Sequence, residues 1–231
     1  MKRILLTTVV FAAATAFTGA ANAADIARPA PMAVKAPAYI APMYTWAGFY
    51  IGANLGYGWG DGSGTLTSGG VTGPLSGSGD GILGGAQIGY NWQSGPWVLG
   101  VETDFQGTGI SGGFSAPANG VVGTERTPWF GTIRGRVGYA VNTWLFYVTG
   151  GGVYAQNKIS GTAPAGAFSA SNVGWSYTVG AGVEAFVAPR WSVKAEYLYM
   201  GTPDSAPVPP GAVVTGSTNS NLVRVGLNYH F

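Results

Sequence analysis

The 231-residue chain has one histidine and no cysteine, so few of its side chains could perform chemistry. Absence of cysteine excludes a disulfide framework, thiol catalysis, and Cys-based zinc or iron-sulfur sites. The histidine, His230, has no second ligand at metal-site spacing and no sequence neighbour that would make it a general base, so it reads as a polar structural residue. Gly79-Asp80-Gly81-Ile82-Leu83-Gly84 matches G-x-G-x-x-G. That motif binds a dinucleotide only between a strand and a helix whose N-terminus meets the pyrophosphate. Here a Ser/Gly stretch precedes it and a strand pattern follows. No cofactor is implied. What remains is ionic: Glu102-x-Asp104, Arg134-x-Arg136, Glu184, Lys194-x-Glu196 and Arg224, four acids and four bases.

These eight residues share one property, which is that each lies on the polar phase of an alternating strand. In Leu222 to Phe231, Val223, Val225, Leu227, Tyr229 and Phe231 fall on one face, while Arg224, Asn228 and His230 fall on the other. The same period of two recurs over Phe49–Trp59, Ile82–Trp92, Trp97–Gln106, Trp129–Tyr139, Trp175–Ala185 and Trp191–Tyr199. Trp144–Ala155 is apolar on both phases, and its outward set is assigned to Trp144, Phe146, Val148 and Tyr154. No stretch after residue 47 carries the i, i+3, i+4, i+7 pattern of a substantial helix. The spacing therefore predicts an all-β chain of eight strands.

Connections alternate between short turns (93–96, 140–143 and around Pro189) and long loops (60–81, 107–126, 156–173 and 201–220). Eight antiparallel strands joined in this way are the pattern of an up-and-down transmembrane β-barrel, with the short turns periplasmic. Tryptophans give a second line of argument. Trp92, Trp97, Trp144 and Trp191 flank the short turns, whereas Trp59, Trp129 and Trp175 flank the long loops, as two interfacial girdles would. A soluble barrel would bury the charged phase without water, at several kcal/mol per unpaired ion. The inverted arrangement instead lets the charges pair inside. They could line an ion path or form a plug, and the narrow interior of eight strands favours the plug.

Composition agrees: charged residues are only 9% of the chain and glycines number 40, against roughly 25% charged in soluble proteins. Met1-Lys2-Arg3, the apolar run Ile4–Phe17 and Ala21-Asn22-Ala23 form a signal peptide over residues 1–23. Residues 24–47, with Pro29, Pro31, Pro37 and Pro42, read as an extended periplasmic linker, leaving 48–231 for the barrel. Without the signal peptide, nine basic residues face nine acidic ones, so no basic nucleic-acid footprint exists. The expected loop rim offers Asp61, Asp80, Glu125, Arg126, Lys158 and Asp204 but no histidine, so no catalytic triad assembles there.

Thr45-Trp46-Ala47-Gly48-Phe49-Tyr50-Ile51-Gly52, Tyr147-Val148-Thr149-Gly150-Gly151-Gly152 and the terminal Tyr229-His230-Phe231 carry a family likeness. Over Trp46 to Phe231 the chain resembles the small porin-family outer-membrane barrels of alphaproteobacteria, the Brucella and rhizobial surface-antigen type, and the OmpA-like transmembrane barrel. The resemblance implies an outer-membrane protein of a Gram-negative bacterium, serving envelope integrity and surface presentation, with haemin binding in some relatives. It also implies contact with lipid and lipopolysaccharide, and recognition of Tyr229 and Phe231 by the β-barrel assembly machinery. A narrow pore and ligand capture or adhesion by the long loops are the alternatives. No motif names a loop partner.

Overall fold

A computed structural model describes residues 44–201 and 212–231. The expected signal peptide, residues 24–43 of the expected linker, and 202–211 with Asp204 lie outside the described residues. Eight antiparallel strands form a closed barrel: β1 (Gly48–Ser68), β2 (Val71–Ser94), β3 (Trp97–Ala116), β4 (Val121–Val141), β5 (Trp144–Ala163), β6 (Gly166–Ala188), β7 (Trp191–Gly201) and β8 (Ala212–His230). Each strand pairs with the next, and β1 closes on β8 from Tyr50↔His230 to Ser68↔Ala212. All strand-forming N–H and C=O groups across the hydrocarbon are thereby satisfied without an edge, which is what lipid requires.

Apolar residues point out and polar residues in. Leu55, Val101, Ile133, Val148, Val179 and Val225 are exposed, while Glu102, Arg134, Lys194 and Arg224 are buried. On β5 the outward set is Trp144, Phe146 and Val148, with Leu145 and Tyr147 inside. Glycines on the inner face make room for rings. A Cβ on Gly89 would run into the Tyr50 ring, and one on Gly182 would sit 2.5 Å from the Tyr147 hydroxyl. Tyr50 and Tyr147 can therefore lie flat across the neighbouring strand and reach the charged layer.

The long connections differ from expectation. The sequence pattern predicts loops over 60–81, 107–126 and 156–173, yet β1 runs on to Ser68 and β2 starts at Val71, around a two-residue turn at Gly69-Gly70. Both glycines have positive φ, 59° and 79°, as a tight hairpin of this twist needs. The β3–β4 connection is a 3-10 turn, Pro117–Asn119, and the β5–β6 connection spans only residues 164–165. At 21 residues and about 3.3 Å rise per residue, β1 is roughly 70 Å long. The apolar band of such barrels is only about 25 Å tall, so the strands continue well past the membrane as paired hairpins.

The cause is backbone pairing rather than side-chain alternation. Gly, Ser and Thr carry no period here, but the ladder below fixes their register and each N–H still seeks a partner. Where the hairpins leave the membrane, register shifts interrupt β3–β4 between Gly107 and Ile110 and β4–β5 between Arg126 and Trp129. Near the tips, Leu66, Ala116 and Val121 are buried together, with Phe114 and Phe168 against them. A small apolar cluster thus holds the extension together.

Candidate functional site

The interior is built in layers along the barrel axis. At the periplasmic mouth Trp46, Val98, Leu145, Tyr147 and Phe186 form a buried cluster, with Tyr44 against it. The sequence places Trp46 in the linker, but it is 0% exposed. Its N–H donates to Gln93 Oε1 at 2.8 Å, its carbonyl accepts from Asn91 Nδ2 at 3.0 Å, and its ring lies 4.3 Å from that of Phe186. The chain entering β1 therefore corks the barrel with its own side chain.

Above the cork lies the charged layer. Arg134 donates through Nη1 to Glu196 at 2.9 Å, through Nη2 to Asp104 at 3.2 Å and to Glu102, and through Nε to Thr132 at 3.0 Å. Glu102 and Arg134 are direct cross-strand neighbours on β3 and β4. Arg224 donates through Nε to Glu196 at 2.7 Å and through Nη2 to Asp104 at 2.9 Å. Lys194 Nζ reaches both oxygens of Glu102 at 2.9 and 2.8 Å, and the Tyr50 hydroxyl donates to the same carboxylate at 2.7 Å. Three acids and three bases from β3, β4, β7 and β8 are thus interlocked.

A second unit sits closer to the cork. Arg136 pairs with Glu184 at 3.0 Å, donates to Asn91 at 2.9 Å, and lies between the rings of Tyr50 and Tyr147 at 4.8 and 5.2 Å. Tyr50 and Tyr147, whose hydroxyls donate to Glu102 and Glu196, join the two units, and an amide relay leads on from Glu184. Asn54 donates to Gln87, Gln87 to Asn228, and Asn228 to Glu184, each at 2.6 Å. All eight charged residues read from the polar phase lie in this layer, and all are buried. With four acids and four bases it is neutral, so none of the ions faces the interior alone.

His230 requires a correction. The sequence placed it without a carboxylate neighbour, but the barrel's curvature brings Glu184 of β6 to 3.5 Å from Nε2, and Ser192 Oγ lies 2.9 Å from the same nitrogen. A Ser-His-Glu grouping invites a catalytic reading, and the geometry does not support it. In a working triad the acid orients the ring from the opposite nitrogen, whereas here hydroxyl and carboxylate share Nε2. Trp46, Tyr50 and Phe186 rings also wall the imidazole, at 5.7, 5.5 and 4.8 Å.

On the extracellular side of the charges, Leu83, Phe130, Val153, Leu198 and Leu222 form a second apolar layer. Leu198 and Leu222 fall on the inward phase of their strands, where alternation alone does not show that they meet. The signal was available in principle: each is an apolar residue at an inward position, and the two stand directly opposite on β7 and β8.

The seven girdle tryptophans lie on the outer face. Trp92, Trp97, Trp144 and Trp191 are exposed near the short turns, and Trp59 and Trp175 near the extension. Trp129 joins the outer belt, its ring 5.6 Å from Phe105 and 6.1 Å from Tyr154. Tyr229 packs on Trp191 at 5.1 Å and on Phe231 at 5.3 Å, and Phe231 itself is 72% exposed toward the lipid side.

A closed sheet with an apolar exterior, two aromatic belts and a charged, paired interior defines an integral outer-membrane β-barrel. The chain belongs to the family of the outer membrane protein beta-barrel domain, whose model matches residues 9–231. It is 37% identical to the 31 kDa outer-membrane immunogenic protein of Brucella melitensis, the alignment covering all of both chains. It is also 37% identical to the 22 kDa outer membrane protein of Rhizobium leguminosarum bv. viciae, over 69% of this chain and 66% of that one. Among solved structures, the outer membrane protein OprG of Pseudomonas aeruginosa aligns with 82% of this chain and 98% of its own, at 12% identity and a TM-score of 0.49. The protein resides in the outer membrane.

Proposed function

We propose that this protein is a sealed, non-catalytic structural barrel that contributes to envelope integrity and carries a stiff paired-hairpin extension at the cell surface. One observation supports the reading above others: a neutral, ion-paired charge layer is stacked between two apolar layers, the Trp46 cork and the Leu83 cluster. An ion crossing such a stack would have to break several buried ion pairs and enter two apolar constrictions. The hairpin tips are the parts furthest from the membrane, and a role as surface antigen, suggested by the immunogenic relatives, would fall on them.

Single-channel recording of the refolded protein in planar bilayers tests the reading. The expected trace is flat. Discrete ohmic steps would replace the seal with a narrow pore. That second reading draws on Asp104 Oδ1, Arg136 Nη2, Arg224 Nη1 and the Gln106 amide, buried polar atoms that find no protein partner and could contact water.

A further inference from the structure

On the outer face of the extension, Arg126 of β4 stands directly opposite Lys158 of β5. Both side chains are exposed, and among the described residues neither takes part in an ion pair. Like charges at directly paired positions, with Cβ atoms about 5 Å apart, repel each other. Such a pair is stable when an anion sits between the two. Among the described residues no carboxylate is paired with either cation. Glu125 alternates to the other face, and Asp80 is separated from Arg126 by the intervening Ser111 of β3, about 10 Å across two strand spacings. Asp80 is itself engaged by the Tyr57 hydroxyl.

The height of the pair identifies the anion. Trp129, Tyr154 and Trp175 form a continuous outer belt, with ring centroids 6.1 and 5.6 Å apart. Lys158 lies four residues beyond Tyr154 on the same face of β5. With a rise of about 3.3 Å per residue and a tilt near 40°, that is about 10 Å above the belt. Interfacial rings mark the edge of the hydrocarbon, and headgroups occupy roughly the next 5–8 Å. Long basic side chains reach into that zone. Around the pair stand neutral donors: Gln156 is bonded to Ser171 at 3.5 Å, and Thr124 to Ser160 at 3.2 Å.

We propose that Arg126 and Lys158 clamp a phosphate of the phosphorylated glycolipid in the outer leaflet, the lipid A part of lipopolysaccharide. The inference rests on the outer-membrane barrel reading and adds a lipid site to it. Calorimetric titration of the refolded full chain in detergent, with bisphosphorylated lipid A and with enzymatically dephosphorylated lipid A, tests it. Two surface cations should make the phosphorylated form bind about 30-fold tighter. Joint replacement Arg126→Ala and Lys158→Ala should erase that preference, whereas exchanging the cations, Arg126→Lys with Lys158→Arg, and the outer-face change Asp61→Asn should keep it. Heat-modifiable gel mobility verifies that each variant is folded. A folded double-alanine protein that still prefers phosphorylated lipid A would overturn the clamp, as would wild-type protein that does not discriminate. Displacement of lipid A by an equal excess of inorganic phosphate would overturn the lipid as its occupant. Conductance steps in bilayers would sink the sealed-barrel reading while leaving these titrations unaffected, so the two failures are separable.

Discussion

Arg134→Ala is the sharpest probe of the interior. The side chain is 2% exposed and contacts three carboxylates. Deleting it leaves Glu102, Asp104 and Glu196 facing only Arg224 and Lys194, a net negative charge enclosed by apolar layers. Breaking a buried pair by removing one partner costs about 3–5 kcal/mol. With a urea dependence near 2 kcal/mol/M, the unfolding midpoint should fall by about 2 M. Glu102→Ala should cost a similar amount, because it strands Lys194, Arg134 and Arg224 against two acids. The double variant restores charge balance, so its cost should fall short of the sum of the singles by about 1–3 kcal/mol. Urea unfolding in detergent micelles, followed by tryptophan emission and by gel mobility, reads all four proteins. Lys158→Ala, in an exposed position, serves as the reference and should barely move the midpoint. Additivity of the two single changes to within about 0.5 kcal/mol would refute the interlocked layer.

Val225 faces lipid midway between Tyr229 at the lower belt and Asn221 beside Trp59 at the upper one. Val225→Arg should therefore cost about 2–4 kcal/mol of folding free energy in lipid vesicles, and a neutral result would place the strand in the wrong register. Trp46→Ala removes the ring packed on Phe186 and should cost about 3–5 kcal/mol, read as a lower temperature for the shift from folded to unfolded gel mobility. Gly89→Ala drives a Cβ into the Tyr50 ring and should destabilise by about 1–3 kcal/mol, with loss of the Tyr50–Glu102 hydrogen bond visible as a changed tyrosine environment in near-UV circular dichroism.

Much of the barrel could be read directly because the membrane imposes a hard period. A residue such as Val223 or Leu227 must face lipid, so alternation survives in every spanning segment. Strand count, inward charges and the two tryptophan belts all follow from that rule. The hairpin extension was illegible for the opposite reason. Beyond the lipid no face is obliged to be apolar, and Gly60–Ser68 carries no contrast between its two phases. Trp46 was missed because its neighbours are Pro- and Ala-rich, and nothing in a linear string says that Asn91 and Gln93 stand ready to bind its backbone. The Glu184–Ser192–His230 grouping was hidden by distance along the chain: three strands contribute one residue each, and only the curvature of the closed sheet brings them together.

The seam between β1 and β8 has a consequence in time. Tyr50 pairs with His230, about 180 positions later, so the ring cannot close until the two ends of the domain meet. Contacts so remote in sequence demand loop closure before they return any stabilisation, which slows folding. Arg224, which binds both Glu196 and Asp104, also arrives only with that closing strand. Until then, β3 and β4 hold Asp104 and Arg134 without the neighbour that completes the layer, and the outward valines and tryptophans have no finished surface to present to lipid. The order of events is thereby constrained. Pairs between adjacent strands, such as Glu102 with Arg134, can form first, whereas those of Arg224 with Glu196 and Asp104 are completed only as the last seam zips.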